Sequence, residues 1–166
     1  MCTLFLCYII LIFVLVLNCT VKWNAALWGE TSESSDYGFW LPTHAIDGLL
    51  TTWAHTKLET DPWWRVDLRK VYRVNKVTIT NRNDLAYRIN GAVIRIGNFL
   101  DVYSNTICGV ISTLAASATA TFSCGGMVGR YVVIHLPGDD KFLTLAEVGV
   151  YGYLAGNSLL YNTFQY

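Results

Sequence analysis

Apolar and polar side chains alternate one by one through most of this chain from residue 22 onward. Trp64-Arg65-Val66-Asp67-Leu68 alternates, and so does Val77-Thr78-Ile79-Thr80. A period of two places successive side chains on opposite faces of an extended backbone, so such runs are half-buried strands. Turn residues separate them. Asn90-Gly91 precedes Val93-Ile94-Arg95-Ile96, Pro137-Gly138 stops the run at 131–136, and a last run covers 145–153. No long stretch spaces its apolar residues as a helix does. In 166 residues this predicts one all-β domain over 22–153, a β-sandwich or jelly roll, followed by a short tail at 154–166.

The first twenty residues obey a different rule. Residues 4–17 are apolar throughout and 1–20 carry no charge. That length suits a signal-peptide core and falls short of the about 20 apolar residues a bilayer span needs. Cleavage is expected near Thr20, two residues after Asn18, with an uncleaved anchor as the alternative. The sequon Asn18-Cys19-Thr20 then falls in or beside the removed segment and carries no glycan. Cys2, Cys7 and Cys19 leave with it, so a secreted chain keeps Cys108 and Cys124. Both end strand-like runs, ICGVIS and ATFSC, that a short small-residue stretch joins as a hairpin. A disulfide between them is the preferred reading and two buried thiols the alternative.

Twelve basic and twelve acidic side chains cancel, so no field of one sign draws the chain to nucleic acid. The informative polar residues lie in HTKLETDPWWRVDL at 55–68 and TITNRNDLAYRING at 78–91. Arg65 and Asp67 share one strand face, as do Arg82 and Asp84. An Asp beside an Arg orients the planar guanidinium. For Arg65–Asp67 a plain surface ion pair is the preferred reading; at Arg82–Asp84, His55 and Arg88 crowd the same region. One imidazole and two guanidiniums suit the hydroxyls of a neutral sugar. No nucleophile or opposed carboxylate pair accompanies them, so the set does not describe an enzyme. His44 and His135 lack partners at zinc spacing. Trp63 and Trp64 read as a core plug, and Gly125-Gly126 and Asp139-Asp140-Lys141 as turns.

The chain resembles the F-type lectins, the discoidin-like fucose-binding family. The resemblance runs in order through NAALWGETSESS (24–35), HAIDG (44–48), DPWWRVDL (61–68), VTITNRND (77–84), RINGAVIRIGN (88–98), TFSCGGMVGRYV (121–132), LPG (136–138) and LTLAEVGVYG (143–152). The family's sugar motif is a His, an Arg twenty-seven positions on, an Asp two beyond and a final basic residue. His55, Arg82 and Asp84 keep that spacing, and Arg88 takes the last place one residue early. Where relatives often carry adjacent cysteines, Leu85-Ala86-Tyr87 stands here, and Leu85 is the candidate apolar contact.

The resemblance implies recognition of terminal α-L-fucose on glycans, in innate immune or other glycan recognition. His55, Arg82 and Arg88 would donate to sugar oxygens, and an apolar wall near Tyr37, Phe39 and Trp40 would take the methyl group. It also implies a structural Ca²⁺ between Asp47 and Glu147, completed by main-chain carbonyls near His44, Leu49, Thr52 and Ala146. Here the loop GLLTTWA is shorter than its usual counterpart, and Trp53 and Ala146 replace two cysteines that relatives often pair. Weak single sites imply a homo-oligomer. The alternative is a discoidin-like module for a lipid or protein partner, with Leu49-Leu50 and Trp53 as an exposed apolar tip.

Overall fold

Eight strands carry the alternating runs in the computed structural model, which describes residues 23–156. They are β1 (Glu30–Glu33), β2 (Ala54–His55), β3 (Trp63–Thr80), β4 (Val93–Gly97), β5 (Thr106–Val110), β6 (Thr119–His135), β7 (Thr144–Leu145) and β8 (Glu147–Leu154). Every pairing is antiparallel. The helical turns among the described residues are short 3₁₀ turns at Ala25–Trp28, Pro42–Ile46 and Ala86–Ile89. The all-β expectation therefore holds, and the last strand ends at Leu154, one residue beyond the expected limit. The signal segment, its cysteines, the Asn18 sequon and residues 157–166 lie outside the described residues.

Two long strands organise the sandwich. The two alternating runs at 64–68 and 77–80 are not separate strands but the two ends of β3. Its first part pairs with β1 and with the last part of β6, while its second part pairs with β8 and the first part of β6. The main sheet runs β1-β3-β6-β4-β5, with β8 on the second half of β3. Between the halves, register slips from Asp67 to Tyr72, and Arg69 there takes φ 62°. Arg130, opposite on β6, clamps this bend. Its Nε and Nη2 donate to the two Asp67 oxygens at 2.7 and 2.6 Å. Asp67 is thus not Arg65's partner. Arg65 instead donates to the Leu100 carbonyl and the Ser32 hydroxyl.

At a second slip, between Val74 and Lys76, Asn75 is an extra residue against β8, while β6 sets three residues, 124–126, opposite it. A one-residue slip exchanges the faces of a strand. Accordingly Trp64, Val66, Leu68 and Val74 point inward before it, and Val77 and Ile79 after it. Opposite Asn75, Gly125 and Gly126 take φ 59° and 78° inside β6, so they form a bulge rather than the expected turn. Val132, Ile134, Ile94, Ile96, Val148 and Val150 complete the core. Each such side chain contributes on the order of 1.5–3 kcal/mol when fully buried.

The Cys108–Cys124 disulfide is present, with Cα atoms 5.1 Å apart. The expected hairpin is not. β5 pairs with β4, and β4 in turn with β6, so the bridge ties strands that share no ladder. It closes a loop whose inner part reaches the end of β3. The Leu114 carbonyl accepts from Asn81 Nδ2, the Ala118 carbonyl from Asn81 N, and Ser117 N donates to the Arg82 carbonyl.

Candidate functional site

Arg82 leaves the end of β3 two residues after Thr80, and its neighbour Asn81 fixes the departure. Asn81 is buried, accepts from Arg82 N through Oδ1 and donates from Nδ2 to the Ala86 and Leu114 carbonyls. The chain then reverses at Leu85, whose φ of 46° is left-handed. The 3₁₀ turn that follows carries Arg88 back toward Arg82. His55 arrives from β2, which pairs with β7 through His55 and Thr144. The same ribbon, with Thr56 N donating to the Leu143 carbonyl, brings Phe142 beside His55. Tyr37 N donates to the His55 carbonyl, and the Tyr37-Gly38-Phe39-Trp40 turn closes the opposite side.

These segments surround a cleft of about 300 Å³ lined by Tyr37, Trp40, Trp53, His55, Arg82, Arg88 and Phe142. Arg82 is held at two points. Nε donates to Asp84 Oδ1 at 2.6 Å, and the guanidinium carbon lies 4.2 Å from the Trp53 ring centre. Its two Nη groups have no protein acceptor among the described residues and remain as donors. Trp53 is stacked on Trp40, with centres 4.1 Å apart and planes 11° apart. On the other side Tyr37 stacks on His55 at 4.6 Å, and Phe142 meets His55 edge-on at 5.5 Å. Arg88 lies over Phe142, 4.4 Å from the ring centre.

The protonation of His55 follows from its partners. Nδ1 is 2.6 Å from the Thr56 carbonyl, which only accepts. Nδ1 therefore carries the proton. Nε2 is 3.0 Å from Arg88 Nη1, which only donates, so Nε2 is the acceptor. Burial holds the imidazole below its ordinary pKa of 6.5, and the Arg88 and Arg82 charges push the same way, against the Thr56 bond. Glu33 on β1 brings no compensating charge at neutral pH, because burial first, then Asp36 and Glu59, push its carboxyl up to about 8. The expectation that His55 donates to a ligand is thus corrected. It offers one lone pair, and the two arginines offer the donors.

The cleft unites His55, Arg82 and Arg88, with Asp84 behind Arg82. Leu85 does not line it. Leu85 is spent on the chain reversal and stands 40% exposed. Of the expected apolar wall, Tyr37 and Trp40 line the cleft, while Phe39 projects into solvent at 93% exposure. Trp53 is not part of an exposed tip, although Leu49 and Leu50 are exposed. Trp53 and Phe142 are wall residues that sequence reasoning did not assign. Trp53 stands two residues before His55, on the same face of an extended segment, and that spacing was the available signal.

The carboxylates of Asp47 and Glu147 also come together. Asp47 closes the Pro42–Ile46 turn and Glu147 opens β8. Asp47 accepts from Leu49 N and from the Thr52 hydroxyl, whose oxygen lies 3.3 Å from the Leu49 carbonyl, and Glu147 accepts from Gly48 N. Burial first, then the bond and charge of Asp47, raise Glu147 to about 7 against the Gly48 and Leu49 backbone bonds. A Glu147 carboxyl held protonated by burial and by the neighbouring Asp47, in an all-oxygen surrounding, fits a hard cation such as Ca²⁺. No third acidic, His or Cys side chain joins them among the described residues, so a cation held there would draw its other ligands from carbonyls and water.

Residues 44–134 match the family described as NedA-like, galactose-binding domain. The fucolectin of Anguilla anguilla is 41% identical over 137 residues, covering 76% of this chain and 83% of that protein. The crystal structure of a fucolectin from striped bass (Morone saxatilis) serum is similar with a TM-score of 0.78 and 43% identity. The match covers 81% of this chain and 48% of that one, so this chain spans about half its length. The lectin domain of lectinolysin complexed with Lewis B antigen has a TM-score of 0.70 at 28% identity, covering 79% of this chain and 97% of that one.

Proposed function

The chain belongs to the F-type lectin (fucolectin) family, and on that premise we propose that it binds terminal α-L-fucose on glycans. One observation carries the reading. The free Nη donors of Arg82, the Arg88 guanidinium and the His55 Nε2 lone pair, on which Arg88 Nη1 rests, converge on a cleft walled by Tyr37, Trp40, Trp53 and Phe142. Fucose presents the matching set, neighbouring hydroxyls and a ring oxygen beside an apolar methyl group. A rigid guanidinium fork serves two adjacent oxygens at once. The Arg82–Trp53–Trp40 stack and the Tyr37–His55 stack supply flat apolar surface for the methyl and the C–H face. Burying one methyl contributes only about 0.8 kcal/mol, so a single site is weak and multivalent display supplies avidity. We therefore include a homo-oligomer, and secretion to meet glycans outside the cell, in the proposal. Recognition of fucosylated microbial surfaces is the role such binding fits.

A glycan array tests the reading: fucosylated glycans are retained and non-fucosylated counterparts are not. His55→Ala is expected to lose that selectivity. Retention of anionic vesicles without any sugar binding would favour the discoidin-like alternative. The protonation of His55 adds a pH signature. Its folded pKa lies below 6.5, so fucose affinity is level above that pH and falls as acid protonates Nε2, which then no longer accepts and carries charge beside Arg82 and Arg88. The same sign applies to stability. The unfolded imidazole takes its proton at higher pH than the folded one, so stability drops as pH falls from 6.5 through the folded pKa. Calorimetry between pH 8 and 4 reads the affinity; a profile level across that range would sink this protonation assignment.

We propose that Asp47 and Glu147, with the Leu49 carbonyl and the Thr52 hydroxyl, hold a Ca²⁺ whose part is structural. Free Ca²⁺ at a hundred times its Kd adds about 2.7 kcal/mol to the folded state. For a domain of this size the Tm rises by roughly 10 °C. EDTA is expected to reverse the rise and Glu147→Gln to abolish it. A Tm indifferent to both removes the metal from the reading.

A further inference from the structure

The two arginines of the cleft are anchored unequally. Arg82 has a carboxylate on Nε and an aromatic face beneath it. Arg88 has no carboxylate partner, and its Nε is buried without an acceptor. Its polar contact with the protein is Nη1 on His55 Nε2 at 3.0 Å. That atom has one lone pair in the ring plane. On the fucose-binding reading, a sugar hydroxyl that donates to Nε2 takes the place of Arg88 Nη1. Arg88 then loses its polar tether at the moment it has to serve the ligand.

What remains is Phe142. Its ring is half-buried, lies 4.4 Å beneath the Arg88 guanidinium and touches His55 edge-on. A cation over an aromatic face is held by the ring quadrupole, more strongly where water is partly excluded. This hold does not use Nη1, Nη2 or Nε, so it survives ligand entry and leaves the donors free. We propose that Phe142 is a positioning residue that keeps Arg88 over the cleft when a ligand hydroxyl occupies His55 Nε2.

Leucine is the informative replacement because it keeps apolar bulk and removes the π-face. In calorimetry with fucose, Phe142→Leu is expected to weaken binding about tenfold, and Phe142→Tyr to recover most of the loss. In an Arg88→Ala background, Phe142→Leu should cost nothing further. A second readout needs no sugar. In an NMR titration of the sugar-free protein the His55 pKa rises in Phe142→Leu, because Arg88, then held by Nε2 alone, keeps that contact less of the time, and stays low in Phe142→Tyr. In the Arg88→Ala background Phe142→Leu leaves it unmoved. Two results overturn the proposal: unchanged His55 titration in Phe142→Leu, or an equal effect of that change with and without Arg88. If the wild type binds no fucose, the fucose reading falls, and the titration alone still decides the role of Phe142.

Discussion

Arg82→Ala is expected to reduce fucose affinity by at least a hundredfold. The side chain is only 6% exposed, its orientation is set by Asp84 and Trp53, and both terminal nitrogens are free for ligand. Hydrogen bonds from a charged donor contribute about 1.5–3 kcal/mol each, and two exceed the ~2.7 kcal/mol that a hundredfold change represents. Arg82→Lys keeps the charge, yet lacks the planar fork that puts two parallel donors beyond the Asp84-anchored nitrogen. It should therefore recover little. The fold should tolerate both changes, because Asp84 is well exposed and water can solvate it once released. Calorimetry with fucose, beside melting curves for each variant, checks this. Binding within threefold of wild type in Arg82→Ala would show that the ligand sits elsewhere.

Opening the Cys108–Cys124 bridge is expected to lower stability by about 3 kcal/mol, the loop-closure value for some 15 residues, and the Tm by roughly 10 °C. The enclosed loop also carries the Leu114, Ser117 and Ala118 groups that bond Asn81 and Arg82. Loosening it should therefore weaken fucose binding modestly as well as melt the domain earlier. Paired Cys108→Ser and Cys124→Ser, compared with wild type with and without reductant, separates the bridge from side reactions. A Tm shift under about 2 °C would mean that the strands hold that loop unaided.

Much of this was legible because it is local. Alternation announced the strands, and the resemblance to the family's sugar motif, not local pattern, picked out His55, Arg82, Asp84 and Arg88 as the polar half of the cleft. The aromatic half was less so. Phe142 reaches His55 only through the β2–β7 ribbon, and that pairing of two-residue strands leaves no periodic trace. Arg69-Lys70 at the bend made β3 look like two strands, and Gly125-Gly126 gave a turn's signal for a bulge. The cysteines were rightly paired but wrongly explained, since spacing along the chain does not tell that β5 takes its ladder from β4 and not from β6. Asp67 found its arginine on another strand for the same reason.

Asn75 looks dispensable: polar, exposed and far from the cleft. Yet it sets the parity of everything after it. With it, β3 counts an odd step between Val74 and Val77, and the residues leading to Arg82 arrive in phase with the core. Without it, Val77 and Ile79 would be dealt to the solvent side, and Arg82 would leave the strand turned away from the cleft. A sequence change there is read out at the far end of the strand, so substitutions at Asn75 are cheap while a deletion is not.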